Sequence, residues 1–384
     1  MLERRTLGHV PKKPHLRQRV DGAVIYEECL TRSGFDGAFS MLYHEHRPHE
    51  AEPVPLETSP HAVEVAPSRD LLRRHYRCLE LPHGATSATA RTALLVNRDV
   101  TIGFLKPLAA DAHYFSNADG DELFFVQEGA GVLRSVFGDL AFERGDYVCV
   151  PKGIVHRFLP TPGLTQAWLW LEFAGVLGLP PAYRNRVGQL RMDAPYSHRD
   201  FRAPATVAPL DEGLYDLVVK RHGAWHRYRQ PHSPLDVIGW DGALYPFVLP
   251  ITAFSPRVGQ VHLPPPVHAT FEAPGVLVCS FVPRPLDFHP DANPIPYPHS
   301  SVDVDEVLFY ANAAFSSRRG VGAGSLSHHP AGITHGPHPG AYENPHPDRW
   351  TDELAVMLDC AAALEPTKAA LPLEDPTYHA SFRA

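Results

Sequence analysis

His299, Glu306 and His335 stand in a stretch that reads PHSSVDVDEVLFY at 298–310 and GSLSHHPAGITHGPH at 324–338. Two imidazoles and one carboxylate make the facial triad that holds non-haem Fe(II) and leaves positions open for a substrate and dioxygen. The expected cofactor is therefore Fe(2+), and the expected partners are a small-molecule substrate and O2. An imidazole must be neutral to ligate, so metal affinity is expected to fall as the pH drops below ~6.5. The single carboxylate leaves the metal site with a net charge of about +1, suited to an anionic substrate.

The spacing carries more than the residue types. His335 closes a segment of the form Gly-x5-Pro-x-Gly-x2-His, built from Gly324, Pro330, Gly332 and His335. This resembles the second motif of the cupin β-barrel. The first cupin motif, Gly-x5-His-x-His-x3,4-Glu-x6-Gly, is met in part: His299 fills its first His and Glu306 its Glu, while Ser301 stands at the second His and Ala313 at the final Gly. A four-ligand cupin site that loses one ligand keeps three.

The elements that must position these side chains read as short strands. The 40 prolines and 28 glycines favour many strands and turns over long helices, because proline removes a ladder donor and fixes φ. ELFFVQEGAGVLRSVFGDLAFERGDYVCVP and QAWLWLEFAGVLGLP in the first half, and GVLVCSFVP and EVLFYANAAF in the second, show apolar runs broken by glycine-containing turns. One helix is expected at SRDLLRRHYRCLEL (68–81), and the tail 351–384 starts as strand or helix.

The Gly-x5-Pro-x-Gly-x2-His form recurs as Gly145, Pro151, Gly153 and His156, preceded by Glu122-x6-Gly129. A repeat separated by ~180 residues implies two barrels, and the fold class expected is an all-β bicupin with extra N-terminal strands and few short helices. The organisation expected is an N-terminal region with a first, metal-free barrel (1–180), a connecting segment rich in Pro, Arg and His (181–235), and a metal-binding barrel with its tail (236–384). His113, Glu122 and His156 are a second candidate triad in the first barrel. However, His113 lies nine positions from Glu122 where His299 lies seven from Glu306, and Phe115 occupies the matching place.

Length and composition bound the rest. The 384 residues are enough for two ordinary domains, and 44% hydrophobic with 20% charged residues describes a globular chain. A net charge of −8 without a basic stripe argues against nucleic acid as a partner. No apolar stretch approaches the ~18–20 residues a bilayer span needs, and the basic start MLERRTLGHVPKKPHLRQRV lacks the apolar core of a secretory signal. Cys29, Cys78, Cys149, Cys279 and Cys360 are odd in number and far apart, which reads as reduced thiols in a cytoplasmic protein. Of the 24 histidines, those beside prolines (His49, His232, His289, His338 and His346) read as solvated loop residues.

Several segments in one order resemble the homogentisate 1,2-dioxygenase family, Fe(II) extradiol ring-cleaving enzymes of tyrosine catabolism. They are NADGDELFFVQEG, SPLDVIGWDGALYPFVLPITAF, GVLVCSFVPRP, THGPH and LAVMLDCAAALEPTKAAL, and together they span most of the chain as a divergent member. The resemblance implies His299, Glu306 and His335 as iron ligands, and His329 as the residue matching a substrate-side histidine. It also implies a homo-oligomer, trimer or hexamer. Two family positions differ: Val176 or Leu177 stands where a catalytic histidine is expected, and Phe315 where a tyrosine is expected. The loss of such hydrogen-bonding groups usually changes the preferred substrate, and the substrate expected is a homogentisate-like dihydroxylated aromatic acid whose ring substituents the sequence leaves open. Candidate bases are then His329, His328 and His338, in that order, with solvated loop positions as the plainer reading of the last two. Phe315, His329 and His338 are the candidate substrate contacts, and Arg318 and Arg319 are cations near enough in sequence for a carboxylate but are read as a solvated turn. A cupin metalloenzyme of other chemistry, or a non-catalytic bicupin that binds a small molecule, are the alternatives.

Overall fold

The computed structural model describes residues 3–56, 62–67, 70–211, 213–315, 317–343 and 349–383. Strands dominate it, and every helical turn among the described residues is a short 3-10 turn. The alternation of side chains along each strand explains how so many apolar runs are buried on both faces. In the strand Asp121–Glu128, Phe124 and Val126 point into a core with Leu133, Phe158, Trp168 and Trp240. Leu123 and Phe125 on the opposite face join Val307, Phe309, Val356 and Leu358 of the second half. The rings of Phe104 and Phe125 meet Phe309 at 5.8 and 6.1 Å. Two sheets therefore pack back to back, and each large ring buried there contributes about 1.5–3 kcal/mol.

The first barrel is built from two seven-stranded sheets. Strands outside 81–180 complete it: Asp216–Arg221 and Ala224–Arg229 extend one sheet, and Phe247–Pro250 pairs with Asp146–Val150 at the edge of the other. The stretch 181–235, expected as a connection, thus carries strands of the first barrel, and Val237–Gly242 joins a five-stranded N-terminal sheet beside Phe39–His44.

The second barrel rests on a six-stranded sheet in the order Ala269–Ala273, Val276–Phe281, Ala355–Cys360, Asp305–Tyr310, Ser325–His329, Arg74–Arg77. Its last strand corrects the helix expected at 68–81. Residues 68–69 lie outside the described part, and the rest forms a strand and a 3-10 turn at Cys78–Glu80. Arg74 pairs with His328 and Arg77 with Ser325, so an edge that needed a partner decided the local conformation over helical propensity. The tail contributes the strand Ala355–Cys360 and two 3-10 turns. His346 lies outside the described residues.

The repeated motif folds alike in both barrels. Gly145 and Gly153 take φ of 88° and 84°, and Gly324 and Gly332 take 76° and 84°, a left-handed turn that side-chain-bearing residues rarely adopt. Each pair of turns brings the motif histidine back against a partner strand. His335 bridges to His299, and His156 pairs with Phe115.

Candidate metal centre

Cross-strand register sets the floor of the site. Leu277, Asp359, Glu306 and His329 lie opposite one another on four adjacent strands, so their side chains share one face of the sheet. His299 and His335 come from the loops above. They are locked as a pair by His299 N–H to His335 O and His335 N–H to His299 O, both 2.8 Å. The three expected ligands are brought together: His299 Nε2 is 3.6 Å from Glu306 Oε2, and His335 Nε2 is 3.7 Å from Glu306 Oε1.

Whether these residues suit a metal is answered by their free valences. His299 Nδ1 faces Tyr297 O at 3.2 Å and His335 Nδ1 faces Ile333 O at 3.0 Å, so each Nδ1–H donates to a carbonyl and each Nε2 keeps its lone pair. His335 Nε2 is buried and has no hydrogen-bond partner among the described residues. An ion about 2.0–2.2 Å from each donor holds its ligands roughly 3–4 Å apart, which fits these separations. Burial alone would raise the Glu306 carboxyl, but the surrounding imidazoles of His299, His329 and His335 outweigh it and hold the group well below the usual carboxylate range. Contact with that carboxylate raises His299. Burial, and then repulsion from Glu306, push Asp359 up to about 6.

His329 is placed differently from a base that meets substrate. Its Nδ1 donates to Glu306 Oε1 at 2.7 Å, its Nε2 accepts from the Tyr378 hydroxyl at 3.2 Å, and its ring stacks on His335 at 4.8 Å. Burial pushes it down to about 3, so it stays neutral. Both ring nitrogens are engaged behind the ligands, and the residue orients Glu306. His328, expected in a solvated loop, is buried with Nε2 3.1 Å from Asp305 Oδ2. His338 is buried too, its Nε2 2.7 Å from Ser381 Oγ and its ring 4.0 Å from Phe382, which makes it an anchor for the C-terminal segment away from the open side of the ligands.

That open side is a cavity of about 480 Å³, within the range that encloses a substituted ring. His299 and Glu306 form part of its wall, beside Phe315, Arg318, His262 and His268. Phe315 lies edge-on to Tyr310 at 4.7 Å. Arg318, read in the sequence as solvated, lines the cavity. One of its Nη atoms is held by Gly336 O, and its Nε has no hydrogen-bond partner among the described residues. Arg319 is exposed and caps Pro339 O at 2.7 Å.

The imidazole sought at Val176 or Leu177 is not there. Val176 is exposed, and the Leu177 amide donates to Asp121 Oδ2 at 2.7 Å. The cavity's own imidazoles are His262, with Nδ1 3.9 Å from Asp287, and His268, buried and pushed down to about 3. Sequence reading missed both because the proline-rich segment that carries them has no period; only VHLPPPVH, two histidines framing three prolines, marked it.

In the first barrel, Glu122 and His156 keep the motif positions, Phe115 stands where His299 stands, and a cation of the chain itself fills the space. The Arg91 guanidinium pairs with Glu122 and lies 4.6 Å over Phe115, while Trp170 Nε1 donates to Glu122 at 3.0 Å. His113 sits apart from both, with Nδ1 3.9 Å from Asp216.

The comparisons fit this arrangement. The family model described as homogentisate 1,2-dioxygenase N-terminal matches residues 81–251. A protein of Saccharolobus solfataricus, named "Putative dioxygenase SSO1533", is 33% identical over 380 residues, covering 98% of this chain and 97% of its own length. The chain belongs to the homogentisate 1,2-dioxygenase family. As a divergent member of it, the chain is 27% identical over 263 residues to the homogentisate 1,2-dioxygenase of Rhodopseudomonas palustris, a match to 65% of this chain and 57% of that enzyme. Among solved structures, a cupin 2 conserved barrel domain protein from Leptotrichia buccalis is similar over 78% of this chain and 98% of its own, with TM-score 0.33 and 10% identity. The all-β bicupin class of this family member rests on its own sheets and repeated motif. Among the described residues, no helix is long and apolar enough to cross a membrane.

Proposed function

We propose that this dioxygenase-family bicupin uses Fe(II), held by His299, Glu306 and His335, to cleave the ring of a dihydroxylated aromatic acid with O2. The observation that carries the reading is the triad's position: His299 and Glu306 form part of the wall of a cavity sized for a single ring, and the unpartnered His335 Nε2 lies 3.7 Å from Glu306 Oε1. When bound, the metal supplies adjacent open positions for a phenolate oxygen and dioxygen.

The chain's own residues do the rest. Arg318 presents a guanidinium to the cavity, matched to a substrate carboxylate. His262 is half-buried on the wall, kept below its ordinary value by burial and by Arg284 and His299, and serves as the group that takes the proton from the substrate hydroxyl. His329 acts as a positioning residue, fixing Glu306 through the bond at Nδ1. Phe315 offers no hydroxyl to the ring, which biases the pocket away from homogentisate itself.

The test is metal analysis on protein purified anaerobically, followed by oxygen uptake with homogentisate, gentisate, hydroquinone and catechol acids. About one iron per chain and uptake with a panel member are expected, with both lost in Glu306→Ala and His335→Ala. Unchanged metal content in the two variants would overturn the assignment.

A further inference from the structure

A second group of ligand-bearing side chains lies outside the cavity. Among the described residues, His46, His232 and Asp236 place a possible ligand atom each within 4.8 Å of one another. His46 follows the strand Phe39–His44, and Asp236 immediately precedes Val237–Gly242. These strands are neighbours, Val237 pairing with His44, so two turns far apart in sequence meet at one end of the N-terminal sheet. Asp236 Oδ2 is 3.1 Å from His46 Nδ1 and 3.7 Å from His232 Nδ1. The two rings lie face to face at 4.5 Å and 17°.

Three features distinguish this group from an ordinary carboxylate–histidine contact. Asp236 is buried, and its other oxygen is fixed by His44 Nδ1 at 2.8 Å, while His44 Nε2 meets Glu28 Oε2 at 3.1 Å. A carboxylate oriented by a histidine that is itself oriented by a carboxylate is the outer layer that protein metal sites build. The His46 amide also donates to Oδ2 at 2.8 Å, which holds the turn beneath the ligand. Most telling is His232: Nδ1 faces Ser233 O at 3.1 Å and Nε2 faces Arg47 O at 3.3 Å. A neutral imidazole has one N–H, so one nitrogen turns a lone pair toward a carbonyl unless a cation intervenes. With the N–H on Nε2, that lone pair is on Nδ1, the atom nearest Asp236.

We propose that His46 Nδ1, His232 Nδ1 and Asp236 Oδ2 form a second metal site for a divalent first-row ion of the zinc type. Two imidazoles and a carboxylate suit such an ion, and the exposed His46 edge leaves its remaining positions to water. The ion ties the N-terminal sheet to the loop entering Val237–Gly242. The site shares no ligand with the His299, Glu306 and His335 centre and does not depend on its chemistry.

The test uses the full chain, stripped of metal, in a Glu306→Ala background that disables the cupin centre. Equilibrium dialysis against micromolar Zn(II) is expected to show about one bound equivalent and a rise in the unfolding temperature with Zn(II) concentration. His46→Ala, at a half-exposed position that leaves the fold intact by circular dichroism, is expected to weaken binding at least about tenfold and abolish the Zn(II)-dependent rise. Absence of bound Zn(II) in the Glu306→Ala chain, or binding that neither His46→Ala nor His232→Ala weakens, would overturn the proposal.

Discussion

Replacing His329 with alanine separates orientation of the metal ligand from direct catalysis. The change deletes a charge-assisted bond of 2.7 Å to Glu306 Oε1 and a 3.2 Å bond to the Tyr378 hydroxyl, both in a fully buried environment. A hydrogen bond to a charged group is worth about 1.5–3 kcal/mol. At about 1.4 kcal/mol per factor of ten, its loss carried wholly into metal binding weakens Fe(II) affinity roughly 10–150-fold. The freed Glu306 oxygen and the Tyr378 hydroxyl each add about 1–3 kcal/mol of lost stability where no water reaches them. Affinity is read by competition with a chromogenic chelator, stability by thermal unfolding, and turnover by oxygen uptake at saturating metal. His329→Gln keeps a donor and is expected to recover part of the affinity. Affinity unchanged in both variants while turnover at saturating metal collapses would refute the reasoning and return His329 to the substrate.

Three further outcomes follow from the same geometry. Arg318→Met is expected to raise KM for an aromatic acid about 10–100-fold and to leave an uncharged analogue unaffected; equal effects on both would remove Arg318 from carboxylate binding. Phe315→Tyr is expected to increase turnover of homogentisate relative to the preferred acid, and an unchanged ratio would mean that other wall residues set selectivity. Asp216 is held down to about 2, first by its bond to Arg229 at 2.8 Å and then by Arg227. A depressed carboxyl contributes stability that is present above its ordinary value near 4 and lost as pH falls through about 2. Asp216→Asn should therefore cost about 1 kcal/mol at pH 7, discounted for solvent screening, with the cost shrinking toward nothing as pH falls through about 2; an equal cost at both ends would assign the effect to packing.

Some of the site was determined by the sequence because its geometry is local. His299, Glu306, Gly324, Gly332 and His335 fall within 37 residues, and the left-handed turns at the glycines leave a strand pair few ways to return. Spacing along such a hairpin is therefore spacing in space, and the triad was legible by counting. The repeat at Gly145–His156 was legible for the same reason, and so was Phe115 in the place of His299.

Contacts between segments with no common period were decided only by the tertiary structure. Arg91 is 31 residues from the Glu122 whose charge it neutralises, and no pattern in the sequence announces a cation inside a barrel. His262 and His268 ride on a proline-rich stretch whose side-chain directions follow from where it docks. Tyr378 reaches His329 across 49 residues and engages the second ring nitrogen of the expected base, which is why we propose a positioning role for it. Residues 74–77 became strand because the free edge of Ser325–His329 offered hydrogen bonds that an isolated helix could not match. Short-range spacing is read directly from the chain, whereas the partner of a buried charge, or of an open sheet edge, is fixed only when distant segments compete for the same space.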